Sequence, residues 1–298
     1  MSEHKSGFIS IIGRPNVGKS TLMNRLVGTV ISIMSHKPQT TRNRILGILT
    51  EESAQLVFVD TPGIHKSKNI LGETMNKTAA AAIGDADVRI LMLSAPEGLT
   101  ELDKEVISML RKQPTILVIN KADAVAKTDI LGITDKANAI FNFTETVPVS
   151  AKRGDNLDVL HDLLISLLPN GPRYFPDDAL TDMPERQLWS EFIRGKALLH
   201  LQDEVPHGIA VEILSGTARD GDTSKPGMLD IEATIICEKE THKGIIIGKG
   251  GEMLKRIGTE ARRDLERLSG MKVNLKLWVK VRANWRGNRN FVREYLKV

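Results

Sequence analysis

Up to residue 168 the chain alternates short apolar runs with stretches of helical period. Residues 8–12, 45–49, 56–59, 88–93, 115–119 and 147–149 read as strands. Between them, patterns such as Leu157, Leu160, Leu164 and Leu168 step by three and four, as one face of a helix does. This alternation predicts an α/β fold with a mostly parallel sheet, helices on both faces, and ligands at the carboxyl ends of the strands. The pattern stops at 169–186, where Pro169, Pro172, Pro176 and Pro184 stand with Gly171 and with Asp177, Asp178 and Asp182. Proline at that density forbids continuous helix and marks a linker.

Beyond the linker, 185–202 reads as a helix with Leu188, Phe192, Ala197 and Leu201 on one face. Three runs then switch to period two. Ile209, Val211 and Ile213 share one side of the first; Ile231, Ala233, Ile235 and Cys237 of the second; Val273, Leu275, Leu277, Val279 and Val281 of the third. Between the last two lies a helix carrying Leu254, Ile257, Ala261, Leu265 and Leu268. An α+β domain is expected, its three-stranded sheet covered on one side by helices. The resulting division is 1–168, a linker over 169–186, and 187–298.

At 298 residues with 41% hydrophobic residues, the chain has material for two cores. No apolar stretch approaches the roughly 18 to 20 residues of a membrane span, and the first seven residues are polar, so a cytoplasmic protein is expected. The single cysteine, Cys237, lies in a strand-like run and is expected in the core rather than in a disulfide. Charge is unevenly spread. Residues 228–298 hold 16 Lys and Arg against 9 Asp and Glu, whereas 1–227 hold 25 against 28. That asymmetry points the basic end toward a polyanion, nucleic acid above all.

Chemistry enters at Gly13-Arg14-Pro15-Asn16-Val17-Gly18-Lys19-Ser20-Thr21, between the first strand and a helix. This is the phosphate-binding pattern G-x-x-x-x-G-K-[ST] in its required setting. Its backbone amides would cradle phosphates, Lys19 would reach the β- and γ-phosphates, and Ser20 would ligate Mg²⁺. Asp60-Thr61-Pro62-Gly63 follows the third strand, where Asp60 can hold Mg²⁺ through water and the Gly63 amide can meet a γ-phosphate. Thr40 and Thr41 offer hydroxyls to the nucleotide, Thr41 to the metal when the γ-phosphate is present. Asn120-Lys121-Ala122-Asp123 follows the fifth strand. The Asp123 carboxylate can accept from both N1–H and the 2-amino group of guanine, a pair that adenine lacks, which selects GTP. Ser150-Ala151-Lys152 would close the base pocket. The ordered set matches the domain of translation-factor-type GTPases.

Ile64 stands where many small GTPases carry a water-orienting glutamine. In this the chain resembles the GTPases with a hydrophobic residue there, whose phosphate-loop asparagine, here Asn16, helps bind K⁺. Lys19, Thr41, Asp60, Gly63 and Asn16 are therefore the candidate catalytic set. In the basic quarter, Ile247-Gly248-Lys249-Gly250-Gly251 fits the G-x-x-G loop of KH domains, which clamps a single-stranded backbone. Lys243, Lys249, Lys255 and Arg256 are candidate phosphate contacts. Trp278 and Trp285 could stack on bases, although alternation puts Trp278 on the face opposite the core, where a helix could equally cover it.

These motifs, with Gln39-Thr40-Thr41-Arg42 and Leu275-Lys276-Leu277-Trp278-Val279-Lys280-Val281, resemble the bacterial Era-like family over nearly the whole chain. The resemblance implies a ribosome-assembly GTPase with a type II KH domain that binds the 3′ end of small-subunit ribosomal RNA and acts on the small ribosomal subunit. GTP/GDP and Mg²⁺ are the implied ligands. A monomer is expected, and peripheral contact with the inner face of the cell membrane is reported for the family, although nothing here reads as an anchor. The competing readings are a P-loop ATPase or small-molecule kinase, and a non-catalytic RNA-binding scaffold with a structural nucleotide.

Overall fold

The computed structural model describes residues 4–33, 37, 40–65, 67, 69–84, 86–110, 113–202, 205–219, 221 and 227–296. Gln39, quoted above, lies outside them. The chain forms two compact units, one of Met1–Met34, Thr41–Lys68 and Gly72–Asp182, the other of Ser35–Thr40, Asn69–Leu71 and Met183–Val298.

In the first unit all six expected strands form: β1 (Lys5–Ile12), β2 (Ile45–Thr50), β3 (Ala54–Asp60), β4 (Val88–Ser94), β5 (Thr115–Asn120) and β6 (Glu145–Val149). They lie in the order β2-β3-β1-β4-β5-β6, with only β2 antiparallel to its neighbour. Among the described residues, α1 (Lys19–Val27), α2 (Ile70–Gly84), α3 (Glu101–Ser108) and α4 (Lys127–Asn138) connect them, and α5 (Leu157–Leu167) follows β6. Every residue of β3, β4 and β5 is buried, so these strands read as continuous apolar runs, as strands covered on both faces must. Val106 and Ile107 of α3 and Ile133 and Ala137 of α4 share a core with Leu91, Leu93, Leu117 and Ile119. Because β1, β3, β5 and β6 are parallel, the loops after them emerge at one edge of the sheet, and four of the five nucleotide elements lie at the start of or within these loops, Thr40 and Thr41 preceding β2 instead.

The proline-rich segment is not a free linker along its first part. The Gln55 carboxamide accepts from the Tyr174 and Phe175 amides (2.7 and 3.0 Å) and donates to the Phe175 carbonyl (2.9 Å). The Ile48 amide donates to the Leu180 carbonyl at 2.9 Å. Phe175 and Ala179 pack on Leu46, Ile48, Val57 and Val59, and the Tyr174 ring lies 5.2 Å from that of Phe8. The segment is a strap across β2 and β3.

The second unit contains α6 (Glu185–His200), β7 (Ala210–Arg219), β8 (Met228–Cys237), α7 (Glu240–Ile247), α8 (Glu252–Ser269), β9 (Lys272–Val281) and α9 (Arg289–Leu296). The sheet order is β7-β8-β9, antiparallel then parallel, with a bulge between Ile213 and Ser215. Ile193 and Ala197 of α6 and Ile257, Ala261 and Leu265 of α8 share a core with Ile231, Ala233, Ile235 and Cys237. Lys196 to Asp264 (2.5 Å) and His200 to Glu260 (2.8 Å) tie α6 to α8.

One expectation changes here. Trp285 is fully buried, its indole N–H donating to the Gly208 carbonyl at 2.9 Å, with Phe291 and Tyr295 against its ring edge. It is a core residue and cannot stack on a base. The tail beyond it, unassigned in sequence, forms α9 and supplies Phe291, Val292 and Leu296 to the interior.

Candidate nucleotide site and nucleic-acid cleft

The loop 13–18 turns from β1 into α1 through Gly18, whose φ of 106° is left-handed and whose Cβ would stand 2.3 Å from the Asn120 carboxamide nitrogen. Helix α1 has no side-chain cap, so its first-turn amides are left for an external acceptor. Val17 is fully buried, Pro15 half-buried and Asn16 exposed with a φ of 66°. Thr21, half-buried in the first turn of α1, follows the metal-type hydroxyl of Ser20.

Lys19 is 6% exposed, and its ammonium donates to the Gly13 and Arg14 carbonyls at 3.0 and 3.1 Å, mouth-of-loop acceptors that a phosphate would replace. Burial pulls its pKa down to about 8, against the raising influence of Asp60 and with a lowering one from Arg14. A bound phosphate needs the charged form. GDP affinity is therefore expected to fall about tenfold per unit as pH rises above 8, with proton uptake on binding at pH 8.5 and none at pH 6.5. Calorimetry in two buffers of different ionisation heat checks this.

Asp60 is the convergence point. Its Oδ2 accepts from Ser20 (2.7 Å), Ser32 (3.0 Å) and Thr41 (3.4 Å), while Oδ1 is buried without a hydrogen-bond partner. Burial raises its pKa, opposed by the Lys19 charge and the three hydroxyls. A half-satisfied buried carboxylate flanked by the Ser20 and Thr41 hydroxyls, 3.0 Å apart, fits Mg²⁺, a hard cation that takes oxygen ligands. Sequence reasoning missed Ser32 and its holder Asn24, whose carboxamide accepts from the Ile31 and Ser32 amides (2.9 and 3.0 Å). Neither residue carries a sequence signal; only the fold brings them to Asp60.

Gly63 lies against the phosphate loop, where a Cβ would meet the Pro15 backbone at 2.6 Å. Ile64 is 7% exposed and belongs to the core with Leu91 and Leu93, an apolar side chain with no group that could orient a water. Thr40 belongs to the second unit, where its hydroxyl donates to the Lys37 carbonyl and its own carbonyl accepts from the buried Arg194 at 2.6 Å. Glu191 accepts two hydrogen bonds from that guanidinium.

At the base side, the Asn120 carboxamide donates to the Val17 carbonyl (2.7 Å) and accepts from the Ala151 amide (3.0 Å), fastening the phosphate loop to both base loops. Asp123 is exposed, and a hydrogen bond from Ser150 holds its carboxyl below the usual range. The Lys152 carbonyl accepts from Arg25 at 2.7 Å. Arg14 turns away from the phosphate pocket, pairing with Glu97 (2.5 Å) and Asp103 (3.2 Å). Glu97 also receives Ser94 at 3.0 Å and stands 3.5 Å from Lys121, so one carboxylate links the phosphate loop to the Asn120–Asp123 loop. Burial works against its ionisation, but the Arg14 guanidinium outweighs it and keeps the carboxyl below its ordinary range.

In the second unit, Gly248-Lys249-Gly250-Gly251 joins α7 to α8. A Cβ on Gly248 (φ 72°) would strike Met253 at 2.7 Å, and α8 starts at Gly251 with no side-chain cap, leaving amides for an anion. Beside it lies a cleft of about 510 Å³ between α8 and β9, lined by Gly251, Leu254, Lys255, Gly258, Thr259, Arg262, Val273, Asn274, Leu275 and Leu277. Of the predicted set, Gly251 and Lys255 line it. Arg256 instead faces Glu260 (3.7 Å), Lys243 stands 4.0 Å from Glu240, Lys249 and Gly250 are exposed at the loop tip, and Ile247 ends α7.

A guanine-selective P-loop domain and a G-x-x-G cleft on one chain define the class, a GTPase with its own KH domain. A family model described as "50S ribosome-binding GTPase" matches residues 8–121, and one described as "KH domain" matches 204–286. The chain is 49% identical over 292 residues to the GTPase Era of Clostridium botulinum strain Eklund 17B / Type B, covering 97% of each. It is 48% identical over 297 residues to that of Clostridioides difficile strain 630, covering 98% of each. It is also similar to two solved structures, each at 41% identity, a TM-score of 0.93 and 98% coverage of both chains. One is Era in complex with MgGDPNP and nucleotides 1506–1542 of 16S ribosomal RNA, the other an Aquifex aeolicus Era variant bound to GDP.AlF4⁻. The chain belongs to the GTPase Era family.

Proposed function

We propose that the chain binds GTP and GDP with Mg²⁺, hydrolyses GTP, and holds the single-stranded 3′ end of small-subunit ribosomal RNA in its KH cleft during assembly of the small subunit. The observation that carries the nucleotide half is the meeting of Ser20, Thr41 and Asp60 at one half-satisfied carboxylate. Mg²⁺, held there through Ser20, Thr41 and the water shell of Asp60, would neutralise phosphate charge. Lys19 and the α1 amides bind the phosphates, the Gly63 amide addresses the γ-phosphate, and Asn120, Lys121, Asp123, Ser150, Ala151 and Lys152 form the base pocket. Arg14 acts through Glu97 rather than on phosphate. Thr41 adjoins Thr40, which packs in the second unit, so a change at the γ-phosphate has a covalent path toward it.

With Ile64 buried, Asn16 is read as a K⁺ ligand whose cation supplies the charge that orients the reaction. GTP turnover is expected to be slow and several-fold faster in K⁺ than in Na⁺; equal rates in the two salts exclude this role. The functional division is a nucleotide domain over 1–168 closed by the strap that follows it through Asp182, and an RNA domain over 187–298. In this reading the protein works as a cytoplasmic monomer, any contact with the inner face of the membrane being peripheral. No helix among the described residues is long and apolar enough to cross a membrane.

The test is the affinity of an oligonucleotide copying that 3′ end, measured in GDP and in a non-hydrolysable GTP analogue. Tighter binding in the GTP form supports a switch coupled to RNA. Absence of binding in either state removes the target.

A further inference from the structure

Helix α1 ends at Gly28, whose left-handed φ of 80° and amide bond to the Asn24 carbonyl (3.0 Å) turn the chain back toward it. The Asn24 side chain then holds the returning segment. Its carboxamide oxygen accepts from the Ile31 and Ser32 amides at 2.9 and 3.0 Å, and its nitrogen donates to the Ser32 carbonyl at 2.7 Å. Asn24 is 6% exposed and Ser32 1%. A buried carboxamide bonded in this way to one dipeptide fixes its backbone, because breaking any of the bonds strands a polar group away from water.

What the fixed backbone presents is a hydroxyl. Ser32 Oγ donates to Asp60 Oδ2 at 3.0 Å, the same oxygen that receives Ser20 (2.7 Å) and Thr41 (3.4 Å). The donors differ in what else they must do. Ser20 and Thr41 stand 3.0 Å apart and offer the oxygens that suit Mg²⁺. Thr41 can serve there only while a γ-phosphate orders its segment. Ser32, held from α1, depends on neither metal nor γ-phosphate.

We propose that Ser32 is a positioning residue for the magnesium site: it fixes the Asp60 carboxylate so that Oδ1 faces the water shell of the metal, in the GDP state as well as the GTP state. The inference rests on the nucleotide and Mg²⁺ reading above. Oδ1 is buried without a hydrogen-bond partner, whereas Oδ2 is engaged by all three hydroxyls. A carboxylate free to rotate would offer the metal's waters an oxygen already occupied. Once Thr41 is released, Ser20 would be left to hold the carboxylate while itself on the metal. Ser32 then keeps the site formed around GDP, and so sets how firmly Mg²⁺ retains that nucleotide.

The test follows release of a fluorescent GDP analogue from full-length wild-type protein and from Ser32→Ala, over graded free Mg²⁺ and in EDTA. Alanine removes one oxygen and adds no volume, and circular dichroism checks that the fold is kept. The variant is expected to need about tenfold more Mg²⁺ for half-maximal retention of GDP, the effect usual for a group that orients a metal's ligand. Its GDP affinity in EDTA should match that of wild type. With a non-hydrolysable GTP analogue, where Thr41 also holds the carboxylate, the shift should shrink to about threefold or less. An unchanged Mg²⁺ requirement, or a loss of GDP affinity of the same size with and without Mg²⁺, overturns the proposal and leaves Ser32 a packing residue. An equal shift with both nucleotides overturns its assignment to the GDP state. Wild-type protein whose GDP release ignores Mg²⁺ overturns the magnesium reading itself.

Discussion

Replacing Asp123 by asparagine is expected to weaken GTP binding by about three orders of magnitude and to give xanthosine triphosphate the higher affinity. A carboxylate accepts from the guanine N1–H and 2-amino group together, and a site built on such a pair rejects a ligand that cannot form it by 10⁴ or more. Asparagine brings a donor to one position, where xanthine offers a carbonyl in place of the amine. The fold should survive the change, because Asp123 is exposed and its Ser150 contact can be kept by a carboxamide oxygen. Competition of both triphosphates against a fluorescent GDP analogue measures the exchange. Retained GTP preference would show that guanine is selected by groups other than Asp123.

Introducing aspartate at both Lys249 and Gly250 should reduce affinity for the 3′-end oligonucleotide at least thirtyfold while leaving GTP turnover without RNA unaltered. Two carboxylates then replace one ammonium at the loop tip, directly before the uncapped amides of α8 that would face a phosphate. Folding is not at stake for steric reasons: both residues are exposed, and a Cβ on Gly250 meets nothing within 4 Å, although its φ of 59° suits aspartate less well than glycine. Gly248 would be the wrong choice, since its Cβ would collide with Met253. Fluorescence anisotropy with labelled RNA, beside circular dichroism, separates lost binding from lost fold. An affinity unchanged by the two aspartates would move the RNA site away from the G-x-x-G loop.

How much of this was readable in advance depends on how each feature is encoded. The phosphate loop, Asp60 and Asn120 to Asp123 are contiguous motifs at strand ends, so local pattern fixes both identity and place. The strands of both sheets were likewise visible, because burial on one or both faces writes itself as period two or as an apolar run. Asn24, Ser32 and Glu97 were not, since each is an ordinary polar residue that matters only through a neighbour supplied by tertiary folding. The cleft was half legible. Leu254, Leu275 and Leu277 carry the periodicity of a core, and sequence cannot distinguish the wall of a groove from its interior. Trp285 misled for the opposite reason. A tryptophan in a basic tail suggests a base, and only the short helix α9, too brief to declare itself, shows it sealed inside.

The strap across β2 and β3 sets where the nucleotide domain can be cut. A fragment ending at Leu168, where the strand and helix pattern stops, would lose Phe175, Ala179 and the partners of Gln55. It would leave Leu46, Ile48, Val57 and Val59 open to water beside an unshielded sheet edge, a surface that recruits other chains. The compact nucleotide unit therefore extends through Asp182, and the residues that look like connective tissue are its outer wall.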